Sequence, residues 1–145
     1  MSATEEQALA ERVVSSMMAS DTFSQALGME VVEVRPHAAT VRMTVRGDMR
    51  NGFGVCHGGV PFALADSALA FASNTHGTIT VSIENSITYP KPIMPGDVLT
   101  AVAEQESETN RLAFFRVTVR RESEVVALFR GTVYKTSRSF FSEST

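Results

Sequence analysis

Asp66 is the one acid in a stretch that otherwise reads GVPFALADSALAFAS from Gly59 to Ser73, apolar on nearly every side. Its polar companions Ser67 and Ser73 can return a hydrogen bond to the preceding helical turn, but a carboxylate cannot donate one and is costly to bury unpartnered. Such an acid is either structural, satisfied by backbone N–H groups or an arginine on a neighbouring strand, or chemical, a carboxylate set up by its surroundings to attack or to take a proton. Just upstream stands His57-Gly58-Gly59. A glycine pair where a helix begins leaves amide donors and the positive end of the helix dipole open to an anion or a carbonyl, as an oxyanion hole requires. The same pair also serves as a tight turn into a helix. Its proximity to Asp66 favours the functional reading.

These groups need a frame, and the hydrophobic pattern supplies one. Residues 4–19 read as an amphipathic peripheral helix, with Ala8, Val13 and Met17 opposite Glu5, Glu6, Glu11 and Arg12. Strand candidates follow at 29–35 and 39–46, joined by a Pro36-His37 turn; the second alternates cleanly, Ala39, Val41, Met43 and Val45 against Thr40, Arg42, Thr44 and Arg46. A glycine-rich loop (47–58) leads into the long central helix, 59–75, whose Pro61 is tolerable only in its first turn. Residues 78–89 alternate again, Ile79, Val81, Ile83 and Ile87 opposing Thr80, Ser82, Glu84, Ser86 and Thr88, and three further strands are expected near 97–106, 111–121 and 124–135. The last ten residues, 136–145, lack periodicity and read as a frayed tail. One long helix followed by antiparallel strands is an α+β arrangement in one domain, 1–145, with the helix enclosed by the sheet.

Composition removes several function classes. With 13 basic and 16 acidic side chains the net charge is −3, so no general positive field holds nucleic acid or an anionic membrane. The lone cysteine, Cys56, cannot close an internal disulfide or anchor a metal cluster, and neither a metal nor another cofactor is expected. Residues 1–20 lack the basic-then-apolar layout of a secretory signal, and no apolar run is long enough to span a bilayer. A cytoplasmic location is the expectation.

The segment Asn51-Gly52-Phe53-Gly54-Val55-Cys56-His57-Gly58-Gly59, continuing through Leu64-Ala65-Asp66-Ser67-Ala68 to Asn74-Thr75-His76-Gly77, resembles the PaaI-type hotdog thioesterases of phenylacetic acid degradation. The resemblance extends from about Met29 to Tyr134, through Val81-Ser82-Ile83, Ile87-Thr88-Tyr89 and Pro95-Gly96-Asp97. It implies a hotdog fold and an acyl-CoA thioesterase with an aryl-acyl preference, such as phenylacetyl or hydroxyphenylacetyl. In that likeness Asp66 is the catalytic carboxylate, Gly58 the backbone donor to the thioester oxygen, Asn51 and His57 polar positioning groups, and Ser82 a serine that orients water or substrate. Lys91 and Arg111 are candidates for the phosphates of CoA, each with an ordinary solvated charge as the alternative.

Spacing adds an argument of its own. Gly58 and Asp66 stand eight positions apart, about 12 Å along a helix, whereas one carbonyl needs both groups within about 3 Å. If both act, one helix contributes its start and another its middle, and the chain is at least a homodimer. A homotetramer is favoured, since a sheet edge and a helix face would still seek cover. Cys56 beside His57 lacks a third orienting group and is read as no nucleophile; His37 and His76 are read as surface residues. Glu84 and Asn85 suit polar positions at a subunit seam. Two other functions fit the fold. A hotdog hydratase or dehydratase would pair the acid with a histidine, but none follows Asp66 before His76, and a non-catalytic acyl-CoA-binding protein would not need the full polar set.

Overall fold

The computed structural model describes residues 1–141, in the order α1 (Ala3–Ser20), α2 (Thr22–Ala26), β1 (Glu30–Arg35), β2 (Ala38–Thr44), α3 (Gly59–Asn74), β3 (Thr78–Thr88), β4 (Val98–Glu108), β5 (Leu112–Arg121) and β6 (Glu124–Ser139). The strands form one six-stranded sheet, β1-β2-β4-β5-β6-β3, with every neighbouring pair antiparallel. The sheet curls around α3, which packs against β2, β3, β4, β5 and β6. This is the α+β arrangement expected from one long helix and a run of strands, and it is the hotdog fold that the resemblance implied.

The core lies between α3 and the inner sheet face, where Leu64, Leu69 and Phe71 meet Val41, Leu99, Phe115, Val117 and Phe129, all essentially inaccessible. Each such side chain stabilises the fold by roughly 1.5–3 kcal/mol. Contact is closest at Gly131 of β6, where an added Cβ would stand 2.5 Å from Leu69 Cδ2 and 2.8 Å from Asn85 Oδ1. α1 starts at a capping box, Ser2 accepting from the Glu5 N–H at 3.1 Å and Glu5 accepting from the Ser2 N–H at 3.3 Å. It buries Ala10, Val13 and Val14 against the rest of the molecule. No helix among the described residues is long and apolar enough to cross a membrane.

Four expectations need correction. α3 is not enclosed on every side: Phe62, Ala63, Asp66, Ser67 and Ala70 form a half-open face. The alternation of β3 is broken by a bulge at Ile83, because Ser82 pairs with Val133 while Glu84 pairs with the very next residue, Thr132. Thr80 and Ser82 therefore face α3 before the bulge, Asn85 and Ile87 face it afterwards, and Val81 and Ile83 lie exposed on an edge strand. Residues 136–139 are not a frayed tail. Ser139 pairs with Thr78, the Thr136 hydroxyl donates to the Ile79 carbonyl at 2.6 Å, and the Phe141 ring lies 3.9 Å from the Arg12 guanidinium. Backbone pairing holds this stretch without apolar periodicity, while the rest of the expected tail, 142–145, lies outside the described residues. Lastly, His37 is not a plain surface residue: it is half-buried, its Nδ1 is buried with no hydrogen-bond partner, and its ring centroid lies 5.7 Å from that of His76, which is exposed as expected.

Candidate active site

The Gly47–Gly58 loop delivers the chain to the start of α3 in a fixed shape. Asn51 shapes it, its Oδ1 accepting from the Phe53 N–H at 2.9 Å and the Val55 N–H at 3.4 Å, which leaves its amide NH₂ available. Cys56 is buried, and burial pushes its thiol up to about 11, with the Asp97 carboxylate adding to the effect. It is a protonated thiol rather than a nucleophile, and it donates to the His57 carbonyl at 3.4 Å. The Val60 N–H donates to the same carbonyl at 2.9 Å. In a trans peptide the C=O and N–H point in opposite directions, so pinning the His57 carbonyl also sets the direction of the Gly58 N–H.

Only one of the two glycine amides remains open. The Gly59 N–H donates to His57 Nδ1 at 2.9 Å, and this bond makes Nε2 the protonated nitrogen of the neutral His57 ring. The Gly58 N–H has no protein acceptor among the described residues. Gly58 opens onto a cleft of about 230 Å³ that Pro61, Tyr89, Lys91 and Ile93 help to wall. Tyr89, just beyond β3, donates its hydroxyl to the Gly58 carbonyl at 2.8 Å.

Two turns along α3, Asp66 sits on the half-open face beneath the β3 edge. The Asn85 amide donates to its Oδ1 at 3.3 Å, and Ser82 in turn donates to Asn85 Oδ1 at 2.8 Å, which orients the amide. Burial raises the Asp66 carboxyl above the ordinary aspartate range; the Asn85 hydrogen bond draws it partly back and the Asp21 carboxylate pushes it up. Asp21 belongs to a small network at α2, where it accepts from the Ser24 hydroxyl at 2.6 Å while Ser24 and Ser67 share a hydrogen bond at 2.8 Å. No arginine partners Asp66 among the described residues.

Of the residues singled out from sequence, His57 and Gly58 come together at the start of α3, with Asn51 in the loop leading to it and Lys91 across the cleft. Ser82 joins Asp66 through Asn85, so Ser82 touches the acid's partner and not the acid. Arg111 lies elsewhere: Leu112 and Val81 pair with Tyr134 from opposite sides, which places Arg111 level with the beginning of β3 but across β6 from it, where it donates to the Tyr134 hydroxyl at 3.1 Å. Lys91 follows the other end of β3, Thr88, which stands seven residues or about 23 Å beyond Val81. Lys91 also lies 3.7 Å from Glu124. A groove of about 840 Å³ between α1 and β1 holds none of these residues.

Asn85 and Tyr89 were not legible as site residues. Alternation sets Asn85 on the apolar face with Ile83 and Ile87, but nothing in the sequence ties that amide to Asp66, and Tyr89 meets Gly58 across 31 positions of sequence. Asp21 carried a usable signal, an aspartate before a short polar turn that suits an N-cap.

A family model described as the thioesterase superfamily matches residues 53–128, more than half of the chain. The acyl-coenzyme A thioesterase PaaI of Escherichia coli is 35% identical over 121 residues, 83% of this chain and 86% of that protein. The structure of the E. coli PaaI protein superposes with a TM-score of 0.89 over 92% of this chain and 97% of its own, at 31% identity. A mutant of the phenylacetic acid degradation protein PaaI from Thermus thermophilus gives 0.78 at 40% identity, over 80% of this chain and all of its own. A hypothetical thioesterase protein from Streptococcus pneumoniae, solved with coenzyme A, gives 0.73 at 25% identity over 77% of this chain and 90% of its own.

Proposed function

Since the chain belongs to the thioesterase superfamily, in its PaaI-type acyl-CoA thioesterase branch, we propose that it hydrolyses an aryl-acyl CoA, of phenylacetyl or hydroxyphenylacetyl type, to the free acid and CoA. The observation that carries the site assignment is the pairing of an amide donor at Gly58 that has no acceptor with a desolvated carboxylate at Asp66 that has no cationic partner, both among the described residues. A carboxylate held by an arginine would be structural; one raised by burial and touched by a single amide is a competent base and nucleophile.

In this reading the thioester oxygen docks on the Gly58 N–H, which strengthens its bond as the carbonyl becomes an oxyanion. Asp66 either attacks the carbonyl carbon, expelling CoA thiolate and leaving a mixed anhydride that water then cleaves, or takes a proton from the water that attacks. The thiolate recovers a proton in both routes. His57 Nε2–H and the free Asn51 NH₂ are donors for positioning the acyl carbonyl, and Ser82 acts through Asn85.

The two groups are about 12 Å apart on one helix, so the site is shared by two chains. β3 is suited to make that pairing: it is an edge strand, and Val81 and Ile83 are 45% and 56% exposed on it. Joining two β3 edges antiparallel would bring the beginning of one strand to the end of the other. Lys91 of one chain and Arg111 of its partner then flank a single CoA, which neither chain alone can do. A homodimer is thus the smallest active unit, with two dimers forming a homotetramer.

A panel of phenylacetyl-, hydroxyphenylacetyl-, benzoyl- and aliphatic acyl-CoAs, followed by thiol release, tests the assignment. Release with the first two turned over fastest is the expected result. Binding without release would identify an acyl-CoA sensor, and an absorbance change without thiol would identify a hydratase.

A further inference from the structure

Tyr89 is an unusual aromatic for its position: its residue surface is 46% exposed, yet its hydroxyl turns inward to the backbone at the start of α3. It stands so close that a Cβ on Gly58 would lie 3.1 Å from that oxygen. Gly58 itself is helical, at φ −57° and ψ −24°, with no side-chain cap. Glycine has the widest conformational freedom of any residue, so something must hold these angles. The helix contributes only a long bond here, from the Phe62 N–H to the Gly58 carbonyl at 3.3 Å. The Gly58–Gly59 peptide is instead gripped on both sides, its carbonyl by Tyr89 at 2.8 Å and its N–H by His57 at 2.9 Å.

We propose that Tyr89 is a positioning residue for thioester hydrolysis, clamping the peptide that follows Gly58 so that the Gly58 N–H stays aimed at the thioester oxygen. The inference rests on the reading of Gly58 as the oxyanion donor. Burial raises the Tyr89 phenol, which therefore stays a protonated donor wherever the enzyme works. β3 and the residue that follows it thereby hold both halves of the chemistry, Asp66 through Asn85 and Gly58 through Tyr89. The two halves serve different sites of a dimer, so the strand links the sites.

Tyr89→Phe removes one oxygen and keeps a half-exposed ring that the core does not need. Phenylacetyl-CoA turnover, the melting temperature and the backbone amide resonances of Gly58 and Gly59 are measured together. The expected result is a fall in kcat of about tenfold to a hundredfold, with KM within about twofold and the melting temperature held, shifted Gly58 and Gly59 resonances, and a pH profile of unchanged shape. Shifted resonances with unchanged kcat would mean the clamp is real and Gly58 is not the oxyanion donor. Unchanged resonances with unchanged kcat would mean there is no clamp. A change in KM alone, or loss of the alkaline limb of the pH profile, would make Tyr89 a substrate contact or a proton donor and overturn the positioning role.

Discussion

If Asp66 is the catalytic acid proposed, it is the residue on which activity and stability pull against each other. Its folded carboxyl titrates above the unfolded one because burial disfavours the charge. The protonated form therefore contributes stability below the unfolded pKa, and that contribution is lost as pH rises through the folded value. In the proposed mechanism catalysis needs the carboxylate, which forms over the same rise. Asp66→Asn should accordingly keep a melting temperature at pH 7 no lower than that of the parent while losing about a thousandfold or more in kcat; turnover within a few-fold of the parent would remove Asp66 from the chemistry. The contact with Asn85 lowers the acid's pKa, so Asn85→Ala should move the acid limb of kcat/KM to higher pH. A limb that stays in place would show that the amide does not act on Asp66. The acid was conspicuous in the sequence because a carboxylate has little business in an apolar helix. Its amide partner was not, since one amide on the isoleucine face of β3 gives no sign of which acid it meets.

At the scale of elements, long periodic segments were the easily read part. α1, α3 and all six strands follow from the spacing of apolar residues, each end within a few positions of its expected place. The losses have local causes. α2 has five residues, too few to show a period, and the end of β6 is held by backbone pairing with β3 rather than by a buried face. The bulge at Ile83 costs a residue of register and so reverses the facing of every residue after it. Gly131 belongs to the same device, since only a residue without a Cβ lets β6 pass so close to Leu69 and Asn85. Gly131→Ala should destabilise the protein by about 1–3 kcal/mol, the usual range for overpacking, and weaken turnover by displacing Asn85. Chemical denaturation checks the first effect and initial rates the second; an alanine variant as stable and active as the parent would mean that the packing there gives way easily.

For the whole molecule, the proposed shared site makes a prediction about mixtures. Asp66→Ala lacks the acid and Gly58→Pro lacks the amide donor, so each should be inactive alone. When exchanged subunits pair at random, about half the dimers are mixed, each with one site carrying both defects and one carrying neither, and activity should return to about a quarter of the parent's. Folding of the proline variant is verified by circular dichroism, and light scattering should report a dimer or larger. Folded variants that exchange subunits without recovering activity would place both groups in one chain. No reading of one chain's sequence could locate such a site directly; the 12 Å gap along α3 is what points to it.

The thiol of Cys56 supplies a clock for the opening of this molecule. It is 7% exposed, and with its proton held to about 11, roughly one molecule in a thousand carries a thiolate at pH 8. The coloured disulfide reagents that report released CoA should therefore leave the folded enzyme untouched. Labelling then waits for the loop to lift or for the fold to come apart, and at high reagent concentration its rate becomes the rate of that opening. The expected trace is a rate that saturates with reagent in native buffer and jumps on adding denaturant. Stoichiometric labelling within seconds in native buffer would show that the loop before α3 opens freely, and that the direction of the Gly58 N–H is not held between turnovers.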